Sequence, residues 1–169
     1  MNSDPSEWFR NQLTVSGGGF AWAVGEVPAE RQQREPPQRE PLHAPDQWSA
    51  ARHVFHMLFY EREMVLPTMR LWLDRPFDAA AAPDEDVAWD SLAPVAEMLD
   101  QFRQVRAEQV DLLAEFPASA WSETRETVWG EVTLHWVVTK TYQHTAEHIH
   151  HVLNLALFWE VSPTQPRLH

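Results

Sequence analysis

The 169-residue chain has no cysteine. That excludes a disulfide scaffold, a thiolate metal site and a Cys nucleophile, and it leaves the redox compartment undetermined. Basic residues are scarce: 13 Lys plus Arg stand against 25 Asp plus Glu, a formal charge of −12 with His neutral. Such a field repels phosphate backbones and anionic lipid surfaces, so nucleic-acid binding is not expected. No uninterrupted apolar run approaches the ~18 residues a membrane span needs. The opening MNSDPSEWFR has no basic n-region and no apolar h-region. A secretory signal is therefore not expected, and a cytoplasmic protein is the default expectation. Glycine is rare, yet three of the five stand together at Gly17, Gly18 and Gly19.

What the chain does have is apolar bulk. Hydrophobic residues make up 44%, with nine Trp and eight Phe, enough to bury a core within one domain over residues 1–169. Four segments carry helical periodicity. The first, about 6–27, places Trp8, Phe9, Leu13, Phe20, Val24 and Val27 at three- and four-residue steps. Its glycines each cost roughly 1 kcal/mol of helix propensity, so either the helix bends there or another group approaches closely. Residues 28–47 are Pro-rich and charged and read as an extended connection. The second helix, about 48–73, has Trp48, Phe55, Leu58, Phe59, Val65, Met69 and Trp72 as its stripe, with Pro67 expected to kink it. Residues 74–90 form an irregular connection. The third helix, about 91–116, repeats Leu92, Val95, Leu99, Phe102, Val105, Leu112, Leu113 and Phe116, and Pro117 ends it. Residues 121–131 hold a short extended stretch, too little for a sheet. The fourth helix, about 133–159, starts from Thr133 as N-cap. The fold class expected is all-α, a four-helix bundle. The second helix spans roughly 39 Å, and the connection after it reaches roughly 56 Å, so a long crossover making helices two and three parallel is allowed.

Four of the nine histidines cluster in one stretch of the fourth helix, at His144, His148, His150 and His151. A four-residue step turns about 400°, which puts His144 and His148 one turn apart on one face. Steps of three and four lead back to Thr141, Val137 and Leu134 and forward to Val152, Leu155 and Trp159, so the pair interrupts the apolar stripe and faces inward. His150 turns toward water, and His151 flanks the pair. Two imidazoles do not fill a coordination sphere. Acidic residues could complete it, but His56, on a seam of the second helix with Arg52 and Glu63, is the better candidate. Without thiolates, Zn²⁺, Ni²⁺ or Fe²⁺ suit such a site. The other reading of the same residues is a set of hydrogen-bonded core and surface histidines.

Three motifs at compatible spacing then resemble the DinB-like (DinB/YfiT) metalloprotein superfamily. Residues 48–58, WSAARHVFHML, resemble its W-S-x6-H-L opening of the second helix. Gly130-Glu131-Val132-Thr133-Leu134 resembles its G-x-x-T-L start of helix four. His144-Thr145-Ala146-Glu147-His148-Ile149 resembles its H-x-x-x-H-[LI] ligand pair. The resemblance spans Trp8 to Trp159. It implies an up-down-down-up bundle, often a homodimer, with His56, His144 and His148 as metal ligands. The nine tryptophans are a large aromatic load for one bundle and fit an interface.

Characterised members include bacillithiol- or mycothiol-dependent S-transferases, glutathione-dependent hydrolase-like proteins and thiol-dependent maleylpyruvate isomerases. The resemblance thus implies a divalent ion that activates a low-molecular-weight thiol or a water toward a small-molecule substrate. A non-catalytic metal-binding or stress-response protein with the same three histidines is the alternative. Glu61, Glu63 or Glu147 could orient a ligand imidazole, Arg52 could hold a carboxylate of cofactor or substrate, and His53 is a rival ligand. The Gly17–Gly19 run matches no motif of the family.

Overall fold

The computed structural model describes residues 5–37, 48–75 and 83–159; parts of both Pro-rich connections, 38–47 and 76–82, and both chain ends lie outside them. The described residues are mostly helical, with one small hairpin. Helix α1 runs Pro5–Glu26, starting on a proline that needs no intrahelical donor, and is followed by the short α2, Ala29–Gln32. Its inward face is Phe9, Leu13, Ser16, Gly17, Phe20, Ala23 and Val24. Trp8, placed in the stripe by its spacing, instead lies outward at 53% exposure, with its edge against Phe9 and Tyr142. The glycines do not interrupt the helix. Gly17 is needed for close approach, because a Cβ there would lie 3.2 Å from Cγ of Arg106 on the third long segment.

The second long segment begins with α3, Ala50–Phe59, capped by the Ser49 hydroxyl accepting from the Arg52 backbone N–H. It continues as a π-helical turn, Tyr60–Val65, then α4, Leu66–Met69, and a 3₁₀ turn, Arg70–Leu73, ended by Asp74 at φ 54°. Around Pro67, where a kink is expected, the helix changes type. Proline has no N–H for the carbonyl four residues back, and the turn before it opens so that the Leu66 N–H reaches the Glu61 carbonyl. Glu61, four residues after buried Met57, continues the inward face of α3 and is fully buried.

Two expectations are corrected in the next stretch. The connection after residue 74 is not wholly irregular: α5, Glu85–Ala88, forms there, capped by the Asp84 carboxylate accepting from the Asp86 and Val87 backbone N–H groups. The third long helix, α6, is Val95–Leu112 rather than 91–116. Pro94 sets the start, since the residue before a proline is pushed out of helical conformation. Leu92 is consequently 84% exposed and not in the core. Leu113 and Phe116 remain buried in the turns that follow.

Residues 121–131 carry too little extended sequence to predict a sheet, yet β1, Thr124–Thr127, and β2, Gly130–Thr133, pair antiparallel from Thr124↔Thr133 to Thr127↔Gly130. The two-residue turn closes because Gly130 takes φ 84°, a conformation glycine adopts without strain. Thr133 ends β2 and also caps α7, Leu134–Phe158, its hydroxyl accepting from the Trp136 backbone N–H at 3.1 Å.

Helix α1 packs on α6 and α7, and α3 packs on the same two helices. The core divides into two apolar clusters. One gathers Phe20, Val54, Met57, Phe102 and Val152; the other gathers Phe9, Leu13, Val65, Met69, Leu134 and Val138. Between them in sequence along the helices lie the buried polar residues Ser16, Glu61, Arg106, Gln109 and Thr145. Among the described residues no helix is long and apolar enough to cross a membrane.

Candidate metal centre

α3 and α7 bring the three expected histidines together. His56, in the last turn of α3, and His148 on α7 both direct Nε2 at Nε2 of His144, at 3.2 Å and 3.1 Å respectively. Among the described residues these three form the one group of His, Cys, Asp or Glu side chains able to hold an ion. Donors around a divalent ion at ~2.0–2.1 Å sit roughly 3.0–3.4 Å from one another, so both contacts to His144 have the spacing of ligands to one ion.

Tautomers follow from the outer partners. Nδ1 of His56 faces both carboxylate oxygens of Glu85, at 2.9 and 3.0 Å. A carboxylate only accepts, so Nδ1 carries the proton and Nε2 keeps its lone pair. Nδ1 of His148 lies 2.9 Å from Nδ1 of His53. With His148 donating there, its Nε2 also presents a lone pair. His53, the rival ligand in the sequence, therefore sits behind His148, on the far side of the ring from the converging nitrogens. Nδ1 of His144 is buried and has no hydrogen-bond partner among the described residues.

Burial keeps His144 and His148 neutral. It is the largest cause that brings His144 down to about 3, helped by the charges His56, Lys140 and Arg106 can carry. His148 is lowered further, again mainly by burial, then by His53, His144, His56 and His151. Neutral imidazoles are the form that binds a metal.

Aromatic rings enclose the cluster. Trp48 lies 5.4 Å from His53, 5.0 Å from His56 and 6.3 Å from His148. Tyr60, four residues past His56, stands 4.2 Å from His144 and 6.0 Å from Trp129 at the hairpin tip. Burial first, then the charges of Glu61 and Glu147, raises the Tyr60 hydroxyl above its usual range, so it stays a protonated donor. The outlying histidines do not join. His151 stacks on His53 at 5.8 Å, and His150 is exposed and pairs with Asn154.

None of the three glutamates considered as orienting partners fills that role. Glu61 pairs with Arg106, Glu63 with Arg62 at the surface, and Glu147 with Gln143. Arg52 is committed within the protein, to Glu85 at 3.1 Å and Asp86 at 2.6 Å. Glu85 takes the orienting position, which the sequence does not indicate, because no periodicity links that connection to α3. Tyr60 also escapes sequence reasoning, although its four-residue step from His56 puts it on the same face.

Fold and site together define a mostly helical protein with a three-histidine group able to hold a metal ion. The chain belongs to the DinB superfamily, whose family model matches residues 12–152. No curated protein and no solved structure matches it.

Proposed function

We propose that the chain binds one divalent ion through Nε2 of His56, His144 and His148, and that it acts as a metal-dependent enzyme of S-transferase type on a small-molecule substrate. The observation that carries this reading is the convergence of three imidazole nitrogens, Nε2 of His56 and of His148 each lying 3.1–3.2 Å from Nε2 of His144. An ion held by three neutral ligands keeps its full charge and would lower the pKa of a low-molecular-weight thiol or water that meets it. The chain's own residues supply the rest. Glu85 and His53 hold ligand rings from behind, Trp48 and Tyr60 limit water, and the protonated Tyr60 hydroxyl can donate to a substrate oxygen or leaving group. Zn²⁺, Ni²⁺ and Fe²⁺ all suit the nitrogen donor set.

The burial of His148 and its cover by Trp48 favour a second reading, a non-catalytic metal-binding protein. Elemental analysis of the purified, untagged protein tests both. The expected result is about one divalent ion per chain, lost in His144→Ala and in His56→Ala. Failure of the wild type to take up metal on reconstitution overturns both readings. A perturbed Co²⁺ spectrum on adding a small thiol separates the enzyme from the non-catalytic protein.

The same reading includes an up-down-down-up bundle with a crossover between the second and third long segments. Contacts between ends support it. Ser6 at the start of α1 donates to the Leu113 carbonyl at the end of α6, and Phe9 meets His135 at the start of α7. Arg62 with Gln101 and Arg70 with Glu108 run in one direction along the second segment and α6. A cytoplasmic homodimer completes the proposal, supported by Trp8, Val15 and Trp22, exposed at seven-residue steps along α1.

A further inference from the structure

The short helix α5 brings to the histidine cluster a group that the long helices do not supply. Glu85, its first residue, turns both carboxylate oxygens onto Nδ1 of His56. Glu85 is held in turn by Arg52, which stands one helical turn before His56 on α3 and reaches Oε1 at 3.1 Å. The guanidinium is fixed between rings, with its carbon 5.1 Å from Trp48, 5.4 Å from Phe55 and 5.2 Å from Trp89.

This is not an ordinary surface pair. The side chains of His56 and Glu85 are 18% and 24% exposed, against 55% and 67% for Arg103 and Asp100 on α6. In the exposed pair, solvent screening and side-chain entropy consume most of the gain; in the partly buried one, the geometry is retained. The consequence is chemical. Free imidazole exchanges its proton between Nδ1 and Nε2, and only the Nδ1–H form offers a lone pair toward His144. A fixed acceptor at Nδ1 selects that form and also sets the ring's rotation.

We propose that Glu85 is a positioning residue for His56, locking it as the tautomer with a free Nε2 lone pair, and that it thereby couples the docking of α5 to metal binding by α3 and α7. The inference rests on the ligand set proposed above. Coupling of this kind is reciprocal: whatever affinity the ion gains from docked α5, the docking of α5 gains from the ion.

The full-length protein tests this with two readouts. One is Zn²⁺ affinity by chelator competition; the other is the ¹⁵N pattern of the histidine rings in metal-free protein. Glu85→Ala is expected to weaken Zn²⁺ binding about 10–100-fold and to turn His56 from one Nδ1–H tautomer into a mixture. Glu85→Gln keeps an acceptor oxygen and is expected to fall between. Asp86→Ala is the control: its carboxylate is 91% exposed and meets Arg52, not a histidine, so wild-type affinity is expected. Unchanged His148 resonances would show that the fold is intact. An affinity for Glu85→Ala within about twofold of wild type, or an Nε2–H tautomer for His56 in the wild type, overturns the inference. If the wild type takes up no Zn²⁺, the ligand set fails on its own, and the His56 tautomer still decides the role of Glu85.

Discussion

Replacing Arg106 by Met should remove the guanidinium donors from the buried polar layer while keeping most of the aliphatic volume. All five N–H groups of the guanidinium are engaged. Nε donates to Glu61 at 2.9 Å, Nη2 to Glu61 and to Thr145 Oγ1 at 2.8 Å, and Nη1 to the Leu13 carbonyl at 3.0 Å and Ser16 Oγ at 3.3 Å. Ser16 and Thr145 keep other partners in the variant, the carbonyls of Leu13 and Thr141. The carboxylate of fully buried Glu61 loses its cation. Breaking a buried pair from one side costs about 3–5 kcal/mol, a large part of the ~5–15 kcal/mol that stabilises a domain.

The pH dependence identifies the cause. Burial already raises Glu61 above its usual range, opposed by the charge and hydrogen bond of Arg106, and losing Arg106 raises it further. A carboxyl raised in the folded state binds more protons folded than unfolded, so stability is lost as pH rises through its folded pKa. The deficit of Arg106→Met relative to wild type should therefore shrink from pH 7 to pH 5, by up to ~1.4 kcal/mol per pH unit. Urea unfolding at both pH values, compared at common m, gives the numbers. The double variant Glu61→Leu/Arg106→Met should recover most of the loss, because no charge is left buried. A single-variant deficit below about 1 kcal/mol, or one that does not change with pH, would refute the reasoning.

Acid should destabilise the wild type through its histidines. His144 is held down to about 3 and His148 is lowered too, so below pH ~6.5 the unfolded chain takes up protons that the folded chain refuses. Stability should fall as pH falls, by about 2 kcal/mol per histidine at pH 5; a flat denaturation profile between pH 7.5 and 5 would contradict it. Adjacent glycines should respond with opposite sign in thermal melts. A Cβ added at Gly18 would meet nothing within 4 Å, so Gly18→Ala should stabilise by about 0.5–1 kcal/mol, whereas Gly17→Val should force Arg106 aside and cost about 1–3 kcal/mol.

Legibility follows locality. The first and fourth helices read from sequence as 6–27 and 133–159 and occur at Pro5–Glu26 and Leu134–Phe158, because an apolar stripe and the Thr133 cap are written within a few residues. His144 and His148 are legible for the same reason. The third helix reads as starting too early because Leu92 fits the stripe, while Pro94, which sets the boundary, breaks no periodicity. Glu61 and Arg106 are hidden more deeply. Charged residues at helical spacing read as a solvent face, although Glu61 stands three residues after buried Leu58 and four after buried Met57. Glu85 is not legible, since its place depends on how a connection folds back onto α3.

These hidden groups bear directly on why the visible ones meet. A single Nε2–H of His144 can serve only one of its two neighbours at a time, so the convergence of three imidazoles needs support from outside. Thr145 stands next to His144 on α7 but turns the other way, and its hydroxyl accepts from Arg106. Arg106 belongs to α6 and grips Glu61 on the second segment and the Leu13 carbonyl on α1. One guanidinium thus ties all four long segments together at the residue between the two α7 histidines. That fixes the rotation of α7 about its own axis, and one residue of slippage, roughly 100°, would swing His144 and His148 away from His56. Gly17 belongs to the same argument, because a side chain there would crowd the Arg106 stem against α1. A buried ion pair is poor evidence for stability as such. Here its position gives it a different role, since it orients the helix that carries two of the three histidines, while Glu85 and His53 orient individual rings from behind.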